Sequence, residues 1–206
     1  MKFGNEGVRM SLPVDALAEQ PIGSPVDTVA AGQAGPVTIE GRFCRIEALD
    51  PIAHGEGLWQ SFQGDNRLWT YLPFGPFGDE QGFSEWLDGQ AALADPFSYV
   101  VIDTANDSAV GIVTLMEIRP AIRVIEIGGI IYSRALQRTA AATEAQYLMA
   151  RYVFEQLAYR RYEWKCDALN APSRQAALRL GFTFEGIFRQ HRIVKGRNRD
   201  SAWFSM

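Results

Sequence analysis

The sequence predicts one α/β domain built on a mixed sheet, and three observations carry that reading. Strand-like and helix-like segments follow one another as strand, two helices, three strands, helix, strand, helix, two strands. Turn-rich junctions join several of the strands into hairpins, while the two later helices serve as crossovers. The length of 206 residues suits one domain plus a tail.

Residues 1–36 are rich in Gly, Ala, Pro and Val and show little periodicity, so they are expected to form a flexible arm ahead of a domain at 37–206. "VTIEGRFCRIEAL" (37–49) reads as a strand interrupted at Gly41. "HGEGLWQSFQ" and "DEQGFSEWLDGQAALA" read as helices. Between them, "NRLWTYLPFGPFG" is aromatic and punctuated by Gly and Pro, which predicts a loop or broken helix. "FSYVVIDT", the turn "DTANDSA" and "VGIVTLMEI" make a hairpin, and "AIRVIEIGGIIYS" is the next strand. A long helix follows from about Thr139 to Leu157. Its apolar face is Ala145, Leu148, Met149, Tyr152, Val153 and Leu157 at helical spacing. In "RYEWKCDA", Tyr162, Trp164, Cys166 and Ala168 point one way and Glu163, Lys165 and Asp167 the other. Asn170 fits an N-cap with Pro172 in the first turn, and Gly181 fits a left-handed C-cap. "FTFEGIFRQHRIV" and "RDSAWFSM" close the domain as a hairpin around "KGRN".

The composition narrows the function. A net charge of −4 argues against nucleic acid as the main partner. No apolar run approaches the roughly 18 residues that span a membrane. Cys44 and Cys166 form no CxxC pair and suit reduced thiols in a cytoplasm. His54 and His191 lie far apart, so no metal site is expected. No GxGxxG follows the first strand, which leaves a dinucleotide-binding oxidoreductase without support.

The segments "LQRTAAATEA" and "DALNAPSRQAALRLGFTFEGIFRQ", in this element order, resemble the GNAT superfamily of acetyl-CoA-dependent N-acetyltransferases, in particular its RimJ/RimL-like branch. The resemblance spans about Val37 to Met206. It implies the GNAT fold: a mixed, mostly antiparallel central sheet, splayed at the acyl-CoA site and flanked by helices. It also implies a further C-terminal helix, found in many relatives, that this sequence does not continue into.

The family's acyl-CoA motif, Gln/Arg-x-x-Gly-x-Gly/Ala, corresponds to "QRTAAA". The resemblance assigns Gln137, Arg138, Thr139, Ala140, Ala141 and Ala142 to the CoA pyrophosphate. The first glycine of the motif is Ala140. A helix N-terminus offers unpaired N–H donors and a positive dipole end, and alanine keeps those donors. The competing reading of the stretch is an alanine-rich helix start. Glu144 reads as a charge that suits the same dipole.

Gly128 and Gly129 interrupt an apolar strand and suggest a bulge or a simple kink. In the family this strand splays from its neighbour, and the backbone N–H of Ile130 or Ile131 would polarise the thioester carbonyl. Glu126 is the candidate general base, and its alternative is a charged edge residue. The resemblance assigns Asn170 to CoA contact and Ser173 to CoA contact and protonation of the leaving thiolate; plain helix capping competes with both. The tyrosine that many relatives use as the acid is Ala177 here. A glutamate that some RimL-like enzymes carry on the sixth strand is Arg192 here, with His191 beside it as a second candidate base. Trp69, Tyr71, Phe74 and Phe77 fall in the family's substrate-side loop and either line the acceptor pocket or plug the space under two helices. Arg189, Arg192, Lys195, Arg197 and Arg199 make the last hairpin basic, as a solvated face or an attraction for anions.

The expected activity is transfer of an acetyl group from acetyl-CoA to a primary amine by direct attack in a ternary complex, without a metal. An α-amine, with a pKa of about 7.7–8.0, is roughly a tenth deprotonated at pH 7, whereas a lysine at about 10.4 is almost fully protonated. A site with one base therefore suits an α-amine. The alternative is a catalytically silent acyl-CoA-binding or interaction module on the same fold. A cytoplasmic location and a homodimer are compatible with both.

Overall fold

The computed structural model describes residues 20–206. An eight-stranded open sheet, in the order β1-β2-β3-β4-β5-β6-β8-β7, runs through the domain. The strands are β1 (Ile39–Glu40), β2 (Cys44–Ala48), β3 (Phe97–Asp103), β4 (Ser108–Arg119), β5 (Val124–Tyr132), β6 (Arg161–Asp167), β7 (Thr183–Val194) and β8 (Arg197–Ser205). Every neighbouring pair is antiparallel except β5 and β6.

Four helices cover the sheet: α1 (Pro51–Phe62), α2 (Glu80–Ala91), α3 (Ala140–Arg151) and α4 (Ala171–Arg179). Local chemistry starts each one. The Asp50 carboxylate accepts from Ile52 and Ala53 N–H with Pro51 at the first position, so α1 begins three residues before the expected His54. Asp79 caps α2, Thr139 caps α3 and Asn170 caps α4. Gly181 ends α4 at φ +99°, as expected of a left-handed cap. Helix α3 continues into a π-helical turn, Tyr152–Gln156, so the predicted helix to Leu157 is one body with a widened end.

One core packs α3 and α4 against Ile46, Tyr99, Val113, Leu115, Ile125, Ile127, Tyr162 and Trp164. All six residues of the predicted α3 face are buried in it. The other packs α1 and α2 against Val100, Ile102, Ile112 and Ile131.

Two features add to the sequence reading. Residues 1–19 of the expected arm lie outside the described residues, but its last part is anchored. Ala31 N–H donates to Pro120 O (3.1 Å), Gly32 N–H to Leu157 O (2.8 Å) and the Tyr99 hydroxyl to Gly35 O (2.9 Å). Glu163 and Lys165 point opposite to Tyr162 and Trp164, and their side chains are only 5% and 7% exposed, because each finds an opposite charge beside it.

Candidate active site

Strands β5 and β6 pair over only four positions, from Val124↔Arg161 to Ile127↔Trp164, and then part. Just past the fork β5 bulges. Gly128 faces Thr114 and Ile131 faces Ile112, so β5 carries one extra residue and Gly129 and Ile130 belong to neither ladder. Gly129 sits at φ +54°, and a Cβ there would lie 2.9 Å from Thr114 Oγ1, so both backbone and space demand glycine. The unpaired backbone at Gly129 and Ile130 is what an oxyanion donor requires. Of the two candidate donors, Ile130 is the one outside the ladders; Ile131 has rejoined β4.

The β5–α3 turn is built by short-range hydrogen bonds. Gln137 donates its side-chain N–H to Tyr132 O (2.7 Å), which ties the turn to the strand end. Arg138 takes φ +63°, a strained angle for a residue with a Cβ. The Thr139 hydroxyl donates to Leu136 O (2.7 Å) and accepts from Ala142 N–H (3.1 Å). Three of the six motif residues are therefore committed inside the turn: the Gln137 side chain ties it to the strand, and the Thr139 hydroxyl and the Ala142 amide serve as cap and capped group. The amides of Ala140 and Ala141 have no acceptor among the described residues and point out of the helix start. Beside them lies a cleft of about 400 Å³ whose walls include Arg42, Phe43, Thr104 and Ala135.

Glu126 is buried at the base of the fork, on the α1–α2 face, opposite Ile125 and Ile127. Its Oε2 accepts from Lys165 Nζ at 2.7 Å, and its Oε1 lies 3.5 Å from where a Gly128 side chain would begin. Burial pushes its carboxyl pKa up, and the Lys165 charge only partly offsets that. Lys165 also reaches Glu163 Oε2 (3.1 Å) and lies 4.0 Å above the Trp203 ring. Burial raises the Glu163 carboxyl too, but hydrogen bonds from Arg161 and Lys165 outweigh it, and its pKa is lowered. His191 stands beyond Trp203, with Nδ1 2.9 Å from Ser201 Oγ. Its pKa is lowered by burial and then by Arg192, Arg199 and Lys165.

The four aromatic residues of the α1–α2 connection divide. Phe74 lines a small pocket beside Gly129. The Trp69 and Phe77 rings instead pack with Phe62, Phe83 and Trp86, so they plug the space under the helices. Tyr71 donates its hydroxyl to Leu169 O (3.2 Å) in the β6–α4 loop. The β7–β8 turn reaches the α1–α2 connection, where Lys195 Nζ donates to Trp69 O (2.8 Å). The hairpin curls there because β7 carries two extra residues between Phe188 and Arg192, a bulge pinned by Asp200 accepting from Gln190 N–H at 2.7 Å. Of the basic residues, Lys195 is thus a structural donor, and Arg192 lies 3.9 Å from Glu117.

Asn170 caps α4 by accepting from Ser173 N–H (3.1 Å). Ser173 Oγ accepts from Trp164 Nε1 (3.1 Å), and its hydroxyl also hydrogen-bonds the Cys166 side chain, which partly offsets the rise that burial gives that thiol's pKa. Trp164 is the last β6 residue paired to β5, so this hydroxyl stands at the fork. Ala177, the position that the resemblance compares with a tyrosine, is fully buried.

Two residues escaped the sequence reading. The Glu144 carboxylate is not merely a dipole charge; it accepts from Arg42, Phe43 and Cys44 N–H at 2.9, 2.6 and 2.9 Å, clasping the β1–β2 turn onto α3. A Cβ at Gly41 would meet Cys44 O at 2.6 Å and Glu144 Oε2 at 2.7 Å, which explains the glycine where the expected strand breaks into the β1–β2 turn. Lys165 was legible only as one member of an alternating strand. Among the described residues, no three His, Cys, Asp or Glu gather as metal ligands, and no helix is long and apolar enough to cross a membrane.

The site is a parallel pair, β5 and β6, that forks where β5 bulges, with a free helix N-terminus beyond it, on an α/β fold of the GNAT acetyltransferase type. Residues 48–183 match the acetyltransferase (GNAT) domain, and the chain belongs to that family. It is 45% identical to a GCN5-related N-acetyltransferase from Brucella melitensis, covering 86% of this chain and 81% of that one with a TM-score of 0.85. It is 42% identical to a protein from Chromobacterium violaceum described as a probable acetyltransferase of the GNAT family, covering 91% and 96% with a TM-score of 0.83. A ribosomal-protein-S5-alanine acetyltransferase from Vibrio fischeri shares the fold alone, at 18% identity, 82% and 96% coverage and a TM-score of 0.67. No curated protein matches the sequence.

Proposed function

We propose that this chain transfers an acetyl group from acetyl-CoA to a primary amine by direct attack. The observation that carries the reading is the fork with its unpaired bulge, because it leaves strand backbone available next to a buried carboxylate. The residues present fit the donor: the free amides of Ala140 and Ala141 suit its pyrophosphate, with Gln137, Arg138 and Thr139 shaping the turn. The amide of Ile130 would hold the thioester oxygen as negative charge develops. Glu126 would take the amine proton through its free Oε1, directly or through water. As the C–N bond forms and the C–S bond breaks, the electron pair leaves on sulfur, and Ser173 would pass a proton to it while regaining one from water. A thiol pKa near 8.5 asks little of that acid.

The acceptor in this reading is an α-amine of a peptide or small molecule, in the manner of the RimJ/RimL-like branch, and the location is the cytoplasm. Exposed Phe184, Ile187, Phe188 and Ile193 on edge strand β7 support a homodimer. One observation favours the rival, a silent acyl-CoA-binding module: Glu126 is already held by Lys165.

Two measurements test the proposal. Acetyl-CoA at a hundred times its dissociation constant should stabilise the protein by about 2.7 kcal/mol against thermal unfolding, with NADH inert. Thiol release with a panel of N-terminal peptides and small amines should fall at least tenfold in Glu126→Gln. Binding without thiol release from any amine supports the silent module; thiol release unchanged in Glu126→Gln removes Glu126 as base.

A further inference from the structure

The pocket beside the bulge has walls that set it apart from the route of the amine. It has a volume of about 50 Å³ and runs from Gly129 and Ile131 on β5 across Ile112, Thr114 and Met116 on β4 to Ser98 on β3 and Leu49 after β2. Phe74, Pro96 and the α2 residues Trp86 and Gln90 complete it. No residue of β6, of the β7–β8 hairpin or of α4 lines it. Those elements carry Lys165, Trp203 and Ser173, so they border the fork and Glu126. The pocket lies on the other side of β5.

Taken with the acyl-CoA reading above, on which this rests, the geometry leaves one occupant. A thioester carbon held at the bulge has three substituents. In that reading its oxygen would face the Ile130 amide and its sulfur would lie in the fork between β5 and β6. The third, the acyl chain, is left with the direction away from β6, across β4, which is where the pocket runs. We infer that this pocket receives the acyl chain of the donor, and that it takes chains longer than acetyl, up to about four carbons.

The size and lining support that length. One water-sized group needs about 10–15 Å³, so about 50 Å³ holds a few non-hydrogen atoms, whereas acetyl adds one carbon beyond the carbonyl. The lining is mostly apolar. Its two buried hydroxyls, Ser98 Oγ and Thr114 Oγ1, lie 3.2 Å apart and satisfy each other, so an alkyl chain takes no partner from either; the buried indole N–H of Trp86 has no partner among the described residues with or without it. Transfer itself is unchanged in balance: the amine nitrogen bonds the acyl carbon, the C–S pair leaves on sulfur, and the amine proton goes to Glu126.

The test compares dissociation constants of the full chain for CoA, acetyl-CoA, propionyl-CoA and butyryl-CoA, without any amine, alongside thiol release with the amine panel. Two further methylenes in a dry pocket should tighten butyryl-CoA over acetyl-CoA by about tenfold. Ser98→Val and Leu49→Phe each fill the pocket from a different wall and should erase that ratio. If butyryl-CoA binds no tighter than acetyl-CoA to the wild type, or if the preference persists in both filled variants, the pocket is not an acyl site. The thiol arm reads the other claim. A butyryl preference with no thiol release keeps the pocket and removes the transferase reading. Thiol release without a butyryl preference does the reverse.

Discussion

Replacing Lys165 with Met tests whether the buried charges at the fork are coupled. The side chains of Lys165 and Glu126 are each 7% exposed, and Nζ lies 2.7 Å from Glu126 Oε2. Met preserves most of the stem and its packing on Trp203 but removes the charge. Glu163 keeps Arg119 at 2.7 Å and Arg161 at 2.8 Å, so it stays ionised. Glu126 has no second cation within salt-bridge distance among the described residues and is left buried and unpaired. Breaking a buried pair from one side costs about 3–5 kcal/mol, and that is the expected loss near pH 8. Glu126 escapes the loss by binding a proton. Its folded pKa is already raised by burial and rises further without Lys165. A carboxyl with a raised folded pKa stabilises the protein fully below its unfolded value, near 4.3, and loses that contribution as pH rises through the folded value. The deficit of Lys165→Met against wild type should therefore shrink as pH falls from 8 towards 5, by at most about 1.4 kcal/mol per pH unit. Urea unfolding at a series of pH values measures it, and Glu126→Gln in the Lys165→Met background should recover most of the loss. A deficit that is the same at pH 5 and pH 8, or a double variant no better than the single, would refute the reasoning. In the same variant, the acid limb of kcat/KM should move to higher pH if Glu126 is the base.

Two other substitutions read single features. Gly129→Ala should lose roughly 2–4 kcal/mol in urea unfolding, from its left-handed φ and the 2.9 Å approach to Thr114, together with acyl transfer; a stable, active variant would mean the bulge does not need glycine. Glu144→Ala should lose about 2 kcal/mol at pH 7, since one carboxylate holds three amides. Burial pushes the Glu144 carboxyl up, but those amides outweigh it and its pKa is lowered, so the stability it adds is present above the ordinary glutamate range and fades as pH falls through the folded value. Unfolding curves of wild type and variant that stay equally far apart at pH 3 would contradict that origin.

What the sequence determined by itself is what neighbours in the chain decide. The caps at Asn170 and Gly181 sit where they were expected, because a cap is a contact between residues two or three apart. The α3 face and the alternation of β6 were readable for the same reason: helical and strand periods are properties of the backbone alone. The motif "QRTAAA" marked the turn, but which of its groups remain free was settled by hydrogen bonds from the Thr139 hydroxyl that any rotamer change would redirect. Other features needed the tertiary structure. Strict alternation puts Ile131 on the side of Ile125 and Ile127; the single bulge residue turns it to the other core, and a bulge exists only relative to the partner strand. Glu144 and Arg42 are 102 positions apart, Lys195 and Trp69 are 126 apart, and no local pattern links them. Alternation put Glu163 and Lys165 on one side of β6 but not what covers that side; their side chains are buried because β5, β6 and β8 bring Glu126, Arg161 and Trp203 around them. A charge enters a core only where distant strands deliver its partners, so the chemistry of this fork was decided by the sheet order and register.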